Sequence, residues 1–242
     1  MNIKTIEEKL DDAILSSKKY IGIGEVASYI PELANVDADN FGVALVKTNG
    51  EMVLKGDKDI KFSIQSISKV IDLIIALEDR GKEKVFSKVG MEPTEYKFNS
   101  IRPISDRAAN PLINAGAITT CSLIKGADVD EKFSRVMEKV KNLSNSKDIV
   151  FLEGVYNSEM KTTDINRSIA YYLKSIGIIE NNADDVLDLY VRNCSIGVDI
   201  KQLAWIAAVL ANGGKSLDGK EQLIGQRSCK NNTCSYGSMW DV

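Results

Sequence analysis

Histidine is absent from this 242-residue chain. That removes a Ser–His–Asp triad, a His-ligated zinc site and any imidazole acid–base pair. The four cysteines, Cys121, Cys194, Cys229 and Cys234, form no Cys-x-x-Cys pair. With no histidine to complete a ligand set, no metal site is expected. A run of about 18 apolar residues is also missing, so no membrane-spanning helix is expected. No basic segment precedes an apolar run at the start, which argues against a signal peptide. Positive charge is not in excess: 31 Lys and Arg against 34 Asp and Glu leave a net charge of −3. That is too little to track nucleic acid or hold an anionic membrane. The expectation is a cytoplasmic protein with reduced thiols, in which Ser, Lys, Tyr, Cys or a carboxylate must carry any chemistry.

What remains is ordinary globular composition, 44% hydrophobic and 27% charged, in one large domain or two small ones with a substantial core. From Met1 to Tyr20, Ile3, Ile6, Leu10 and Ile14 recur at helical spacing between acidic residues, which predicts an amphipathic helix. Glu25 to Ala34 gives a second, short helical pattern broken at Pro31. Phe41 to Val46, the turn signal Asn49-Gly50 and Met52 to Leu54 read as one antiparallel hairpin. Phe62 to Ile64 then feeds a strongly apolar helix that runs to about Gly81. Further helices are expected over Asn114–Leu123, Glu131–Leu143, Ile165–Leu173, Asp185–Cys194 and Ile200–Leu210. Strands at the start and helices in the middle suggest an α+β fold. Its sheet still needs strands that the polar, unpatterned stretch after Gly225 does not supply.

Two glycine motifs are discounted. Gly22-Ile23-Gly24 follows a helix rather than a strand, so it reads as a plain helix start and not as a dinucleotide turn. Gly213-Gly214-Lys215-Ser216 mimics a P-loop end, but Val209 stands where that motif needs glycine. The candidate with chemical content is Ser66-x-x-Lys69. On a helix, positions i and i+3 share a face, which brings hydroxyl and amine within hydrogen-bond reach. The pair works as nucleophile and base only if the lysine pKa falls from about 10.4 by roughly 2–3 units. Burial at the start of an apolar helix is one way to lower it. The spacing alone is unspecific, since it recurs at Ser16/Lys19, Ser122/Lys125, Ser144/Lys147 and Ser158/Lys161. Context singles out Ser66: a β-like segment runs straight into the most apolar helix, an arrangement that presents a nucleophile. Tyr29, Asn114, Glu159, Asn166 and Tyr190 are weaker candidates taken singly. Small neighbours let another element approach Asn114. Glu159 and Asn166, seven apart, would share one face if a single helix continued between them. Trp205 reads as core.

Several blocks together resemble a known family. Tyr29-Ile-Pro-Glu-Leu-Ala34, Lys61-Phe-Ser-Ile-Gln-Ser-Ile-Ser-Lys-Val70, Phe98-Asn-Ser100 and Asn110-Pro-Leu-Ile-Asn-Ala-Gly-Ala-Ile118 are similar to the serine-dependent glutaminases. So are Leu187-Asp-Leu-Tyr190, Cys194-Ser-Ile196 and Leu210-Ala-Asn-Gly-Gly214, in the family's order and spacing, over about residues 20 to 225. The resemblance implies a serine β-lactamase-like fold, a helical domain inserted in an α/β antiparallel-sheet domain. It divides the chain into sheet parts at residues 1–60 and 196–225 and a helical part at 61–195. It also implies hydrolysis of L-glutamine to L-glutamate and ammonia with no metal or cofactor, and a homo-oligomer, dimer or tetramer. Carried over by position, Ser66 matches the nucleophile and Lys69 its base. Tyr29, Gln65, Ser66, Asn114, Glu159, Asn166 and Tyr190 match the glutamine pocket. Glu159 suits the substrate's α-ammonium, and the Ser66 N–H would form half of an oxyanion hole. The family usually has glycine where Thr163 stands. Two rival readings are a penicillin-binding or β-lactamase-type acyl-enzyme, whose downstream Lys-Thr/Ser-Gly is lacking, and an inactive remnant or interaction protein that keeps the helical domain.

Family members continue through a Cys-Gly-Met-Tyr-Asp stretch and a Lys-Ser-Gly-Val-Gly-Gly stretch, which carry a further tyrosine, the second oxyanion amide and central strands. The C-terminal strands are therefore expected to be missing here. Met239-Trp240-Asp241 must be encoded ATG-TGG-GA, and reading one base later yields Cys-Gly. Residues 226–242 are accordingly expected to be an out-of-frame tail, from a one-base shift or a sequencing error. Sequencing the gene past its stop checks this: the shifted frame should continue as a glutaminase C-terminus, and any other continuation refutes the frame argument.

Overall fold

A computed structural model describes residues 3–225; Cys229, Cys234, Met239 and the rest of the expected out-of-frame tail lie outside the described residues. In chain order the helices are α1 (Ile3–Ser17), α2 (Ser68–Lys88), α3 (Asn114–Leu123), α4 (Val129–Ser144), α5 (Glu153–Thr162), α6 (Asp164–Ser175), α7 (Ala183–Cys194) and α8 (Ile200–Ala211). The strands are β1 (Gly42–Val46), β2 (Met52–Gly56), β3 (Phe62–Ser63), β4 (Val150–Phe151) and β5 (Ile196–Val198). This is the α+β class expected from the sequence.

The apolar run that follows Lys69 becomes the central helix. In α2, Ile71, Leu73, Ile74, Ile75, Ala76 and Leu77 are all buried, so it is enclosed on nearly every side. Its neighbour α3 has all ten residues buried, which explains its run of small side chains: they let α2, α6 and α7 approach closely. Each buried Ile or Leu is worth about 1.5–3 kcal/mol of transfer free energy, so this helix pair anchors the molecule. Gly81 takes φ +77, ψ 163 and kinks α2 where the sequence predicts its end. The helix resumes to Lys88 because Val85 is buried beyond the kink.

The predicted hairpin forms: β1 pairs antiparallel with β2, Val46 facing Met52, with Gly50 at φ +85 in the turn. The other sheet runs β3–β5–β4, with Phe62 opposite Val198 and Phe151 opposite Ile196. Helix α8 packs on β1 and α4. A capping box of Asp199 and Gln202 starts it, and Lys61 locks that box to β3 by donating to Asp199 and Gln202 at 3.0 and 2.9 Å. Trp205 packs, partly buried, against the core.

Two local expectations fail. Glu25 to Ala34 is not a helix; a 3-10 turn over Pro31–Asn35 is all that forms. Pro31 has no N–H and holds Ile30 extended, at φ −113 and ψ 119. Gly22 sits at φ +82 and the following residues are irregular, so this stretch is not a helix start either.

Gly116 is required by contact rather than by dihedral. A Cβ there would lie 1.8 Å from the Asn110 carbonyl oxygen and 2.9 Å from Pro111 Cα. Gly116→Ala is therefore expected to cost about 3 kcal/mol or more, at or above the usual range for overpacking, read as a fall in thermal midpoint; an unchanged midpoint would refute the close packing of α3 on this loop.

Candidate active site

The chain bends sharply where β3 meets α2. Ile64 donates to the Ile196 carbonyl at 2.9 Å, which ends the strand pairing. Gln65 then turns at φ +45, a left-handed conformation unusual for a residue with a side chain. A 3-10 turn over Gln65–Ile67 carries Ser66, exposed, just ahead of the first residue of α2. Ser66 thus lies in the turn ahead of α2 and shares no α-helix with Lys69. The strained residue before it is the feature of a nucleophile-presenting bend.

Lys69 enters the first turn of α2 and is 2% exposed. Its Nζ donates to Asn114 Oδ1 at 2.7 Å and to the Leu112 carbonyl at 3.0 Å. The hydrogen bond to Ser66 expected from the spacing is not formed among the described residues. The Leu112 and Asn114 oxygens take two of the N–H groups of the amine. The loop supplying one of them is held by Asn110, whose Oδ1 accepts from the Leu112 and Ile113 amides at 3.0 and 3.2 Å. From Asn114 the bonding continues: its Nδ2 donates to Asn166 Oδ1 at 2.9 Å, and Asn166 Nδ2 donates to Thr163 Oγ1 at 3.1 Å.

These groups face a cavity of about 360 Å³. Tyr29, Gln65, Ser66, Asn114, Glu159, Asn166 and Tyr190, all seven expected pocket residues, line it. Lys69 stands behind Asn114. Glu159 and Asn166 do not share one helix: the chain breaks at Thr163 (φ −87, ψ 26) between α5 and α6. The break turns both helix ends toward the cavity, so they meet there without a common face. Phe98, Asn99, Thr162 and Thr163 also line it and were not among the expected site residues. Phe98 and Asn99 belong to the Phe98-Asn-Ser100 block, and Thr163 stands where the family usually has glycine. The Phe98 ring lies 5.8 Å from Lys69 Nζ. A larger, open cleft of about 760 Å³ between the β1–β2 turn, the end of α4 and residues 216–223 shares no residue with this cavity.

Burial sets the electrostatics. Loss of hydration pulls the Lys69 pKa down, against the pull of Cys194, Asp72, Cys121 and Glu159. Burial pushes Glu159 up to about 7, with Gln65 and Lys69 opposing, and its Oε2 has no hydrogen-bond partner. Beneath the site Asp72, fully buried, is also pushed up to about 7, although it accepts from Asn193 at 2.8 Å and Cys121 at 3.5 Å. The Tyr190 phenol is driven well up by burial, and Tyr29 is raised by burial and by Glu159. Among the described residues no three His, Cys, Asp or Glu side chains are grouped to hold a metal ion, and no helix is long and apolar enough to cross a membrane.

A family model described as Glutaminase matches residues 24–235. This chain belongs to the glutaminase family. The Glutaminase of Clostridium tetani is 48% identical over 223 residues, which cover 90% of this chain and 73% of that relative. A solved structure titled probable glutaminase ybaS superimposes with a TM-score of 0.90 at 32% identity, covering 97% of this chain and 76% of that one. The Bacillus subtilis glutaminase YbgJ, solved as a covalent complex with 5-oxo-L-norleucine formed by reaction with 6-diazo-5-oxo-L-norleucine, gives a TM-score of 0.84 at 30% identity, covering 95% and 73%. These neighbours carry the serine β-lactamase-like fold. The chain spans about three quarters of the length of each.

The buried carboxylates make stability depend on pH. Asp72, raised from 3.8 to about 7 in the folded state, holds its proton there when the unfolded chain has lost it. Its contribution is therefore favourable at low pH and is lost as pH rises from about 4 to about 7. Asp72→Asn should flatten the thermal midpoint between pH 5 and pH 8, with Glu159 leaving a residual slope of the same sign. An unchanged slope would refute the assignment.

Proposed function

We propose that the chain hydrolyses L-glutamine to L-glutamate and ammonia through a Ser66 acyl-enzyme. The observation that carries this reading is the juxtaposition in one cavity of an exposed serine on a strained bend and a buried carboxylate with an unpartnered oxygen, with a dehydrated lysine behind Asn114 in the cavity wall. Lys69, as the neutral amine, takes the Ser66 Oγ proton while Oγ attacks the carboxamide carbon. The proton then passes to the leaving nitrogen and ammonia departs. Water hydrolyses the ester and returns Ser66. The Ser66 N–H, which donates to no oxygen among the described residues, is half of the donor pair for the tetrahedral oxyanion. Glu159 receives the substrate's α-ammonium, which draws the carboxyl back to its charged form and satisfies Oε2. Asn166, Tyr29 and Tyr190 line the same wall and suit the α-carboxylate and amide. A cytoplasmic setting, in which the thiols stay reduced, belongs to the same proposal, as does a homo-oligomer, dimer or tetramer, which rests on the family resemblance.

Ammonia release from glutamine tests it. Ser66→Ala and Lys69→Met should each lower kcat on the order of 10³-fold or more. Glu159→Gln should raise KM about 10–100-fold, the equivalent of a charge-assisted hydrogen bond. Release that survives in Ser66→Ala refutes the nucleophile; a folded wild-type chain that releases none supports the inactive-remnant reading instead.

A further inference from the structure

The relay Lys69–Asn114–Asn166–Thr163 is directional. Each amide turns its oxygen toward Lys69 and its nitrogen toward Thr163, with contacts of 2.7, 2.9 and 3.1 Å. A neutral lysine amine has two N–H groups and one lone pair. The two N–H groups are taken by Asn114 Oδ1 and the Leu112 carbonyl, which leaves the lone pair free for Ser66. Were the amides reversed, Asn114 would present N–H to that lone pair and occupy it. Nothing at the amides prevents reversal once Lys69 is neutral, because an amine and a hydroxyl can each either donate or accept. The direction is then decided at the far end. There Thr163, 4% exposed, accepts from Asn166 and lines the cavity. Its own hydroxyl hydrogen has no acceptor among the described residues.

Resting on the Ser66–Lys69 reading, we propose that the Thr163 hydroxyl donates to a carboxylate or carbonyl oxygen of the bound substrate, and that this contact locks the relay with its oxygens toward Lys69. Thr163 is then a substrate contact that also positions the base: an occupied cavity holds Thr163 as an acceptor toward Asn166, and the two amides transmit that to the lysine.

The test is labelling of the full 242-residue chain by 6-diazo-5-oxo-L-norleucine, followed by mass spectrometry. In that reaction Ser66 Oγ bonds to the terminal diazo carbon, the hydroxyl proton is delivered to the same carbon, and dinitrogen leaves. Thr163→Ser should label within about threefold of wild type. Thr163→Val should show both a limiting rate about tenfold lower and a higher half-saturating concentration, the effect of one hydrogen bond at each step. Thr163→Ala, which cannot overpack, carries the same expectation if the valine variant melts. Wild-type labelling by Thr163→Val or Thr163→Ala overturns the proposal. So does a Thr163→Ser variant as slow as Thr163→Val, which would mean that packing and not the hydroxyl matters. A label that persists in Ser66→Ala sinks the nucleophile reading instead, and a wild-type chain that takes no label sinks both.

Discussion

An ammonium group removed from water is the constraint around which this molecule is arranged. Burying Lys69 costs several kcal/mol unless oxygens replace its hydration, and two do: the Leu112 carbonyl and Asn114 Oδ1. Both come from the segment that opens α3, and that segment is fixed twice. Asn110 gathers the amides of Leu112 and Ile113, and Gly116 lets α3 approach the Asn110 carbonyl more closely than any side chain would allow. The contact between α2 and α3 therefore does more than bury apolar area. It sets the position of the Lys69 amine.

The same low dielectric that lowers the lysine raises its neighbours. Glu159 and Asp72 are both carried to about 7, so near neutrality neither carboxyl is fully charged. Such a site responds to what enters it. A cationic group beside Glu159 would shift that balance, while the thiols of Cys121 and Cys194, buried and with raised pKa, stay neutral and add packing rather than charge. Perturbed groups of opposite kind converging on one cavity are the electrostatic pattern of a working site.

Helix periodicity was the most legible part of the fold. Asn114–Leu123 appears with the expected bounds, and α4, α6, α7 and α8 depart from expectation by no more than two residues at either end, because their apolar spacing matches how they are buried. The Asn49-Gly50 hairpin was equally plain, since its turn chemistry is local. Local pattern failed at Glu25–Ala34, where Pro31 and the glycines before it override a weak helical spacing. It failed again between Glu159 and Asn166, where Thr163 breaks the helix. Motif resemblance points to seven of the side chains that line the cavity; Phe98, Asn99 and Thr163 reach it only because distant segments meet there, which no local spacing signals.

The sequence by itself determined which chemistries were open: without histidine, a serine and a lysine three residues apart at the start of an apolar helix were the available pair. It also determined most of the helices, α5 excepted, since periodic burial is written in neighbouring residues. Only the tertiary structure decided that Lys69 faces Leu112 and Asn114 instead of Ser66, that Gln65 is held in a left-handed bend, and that Glu159 keeps an unpaired oxygen. Each depends on groups 40 or more positions apart, or on strain that the whole core sustains, and no local spacing encodes either.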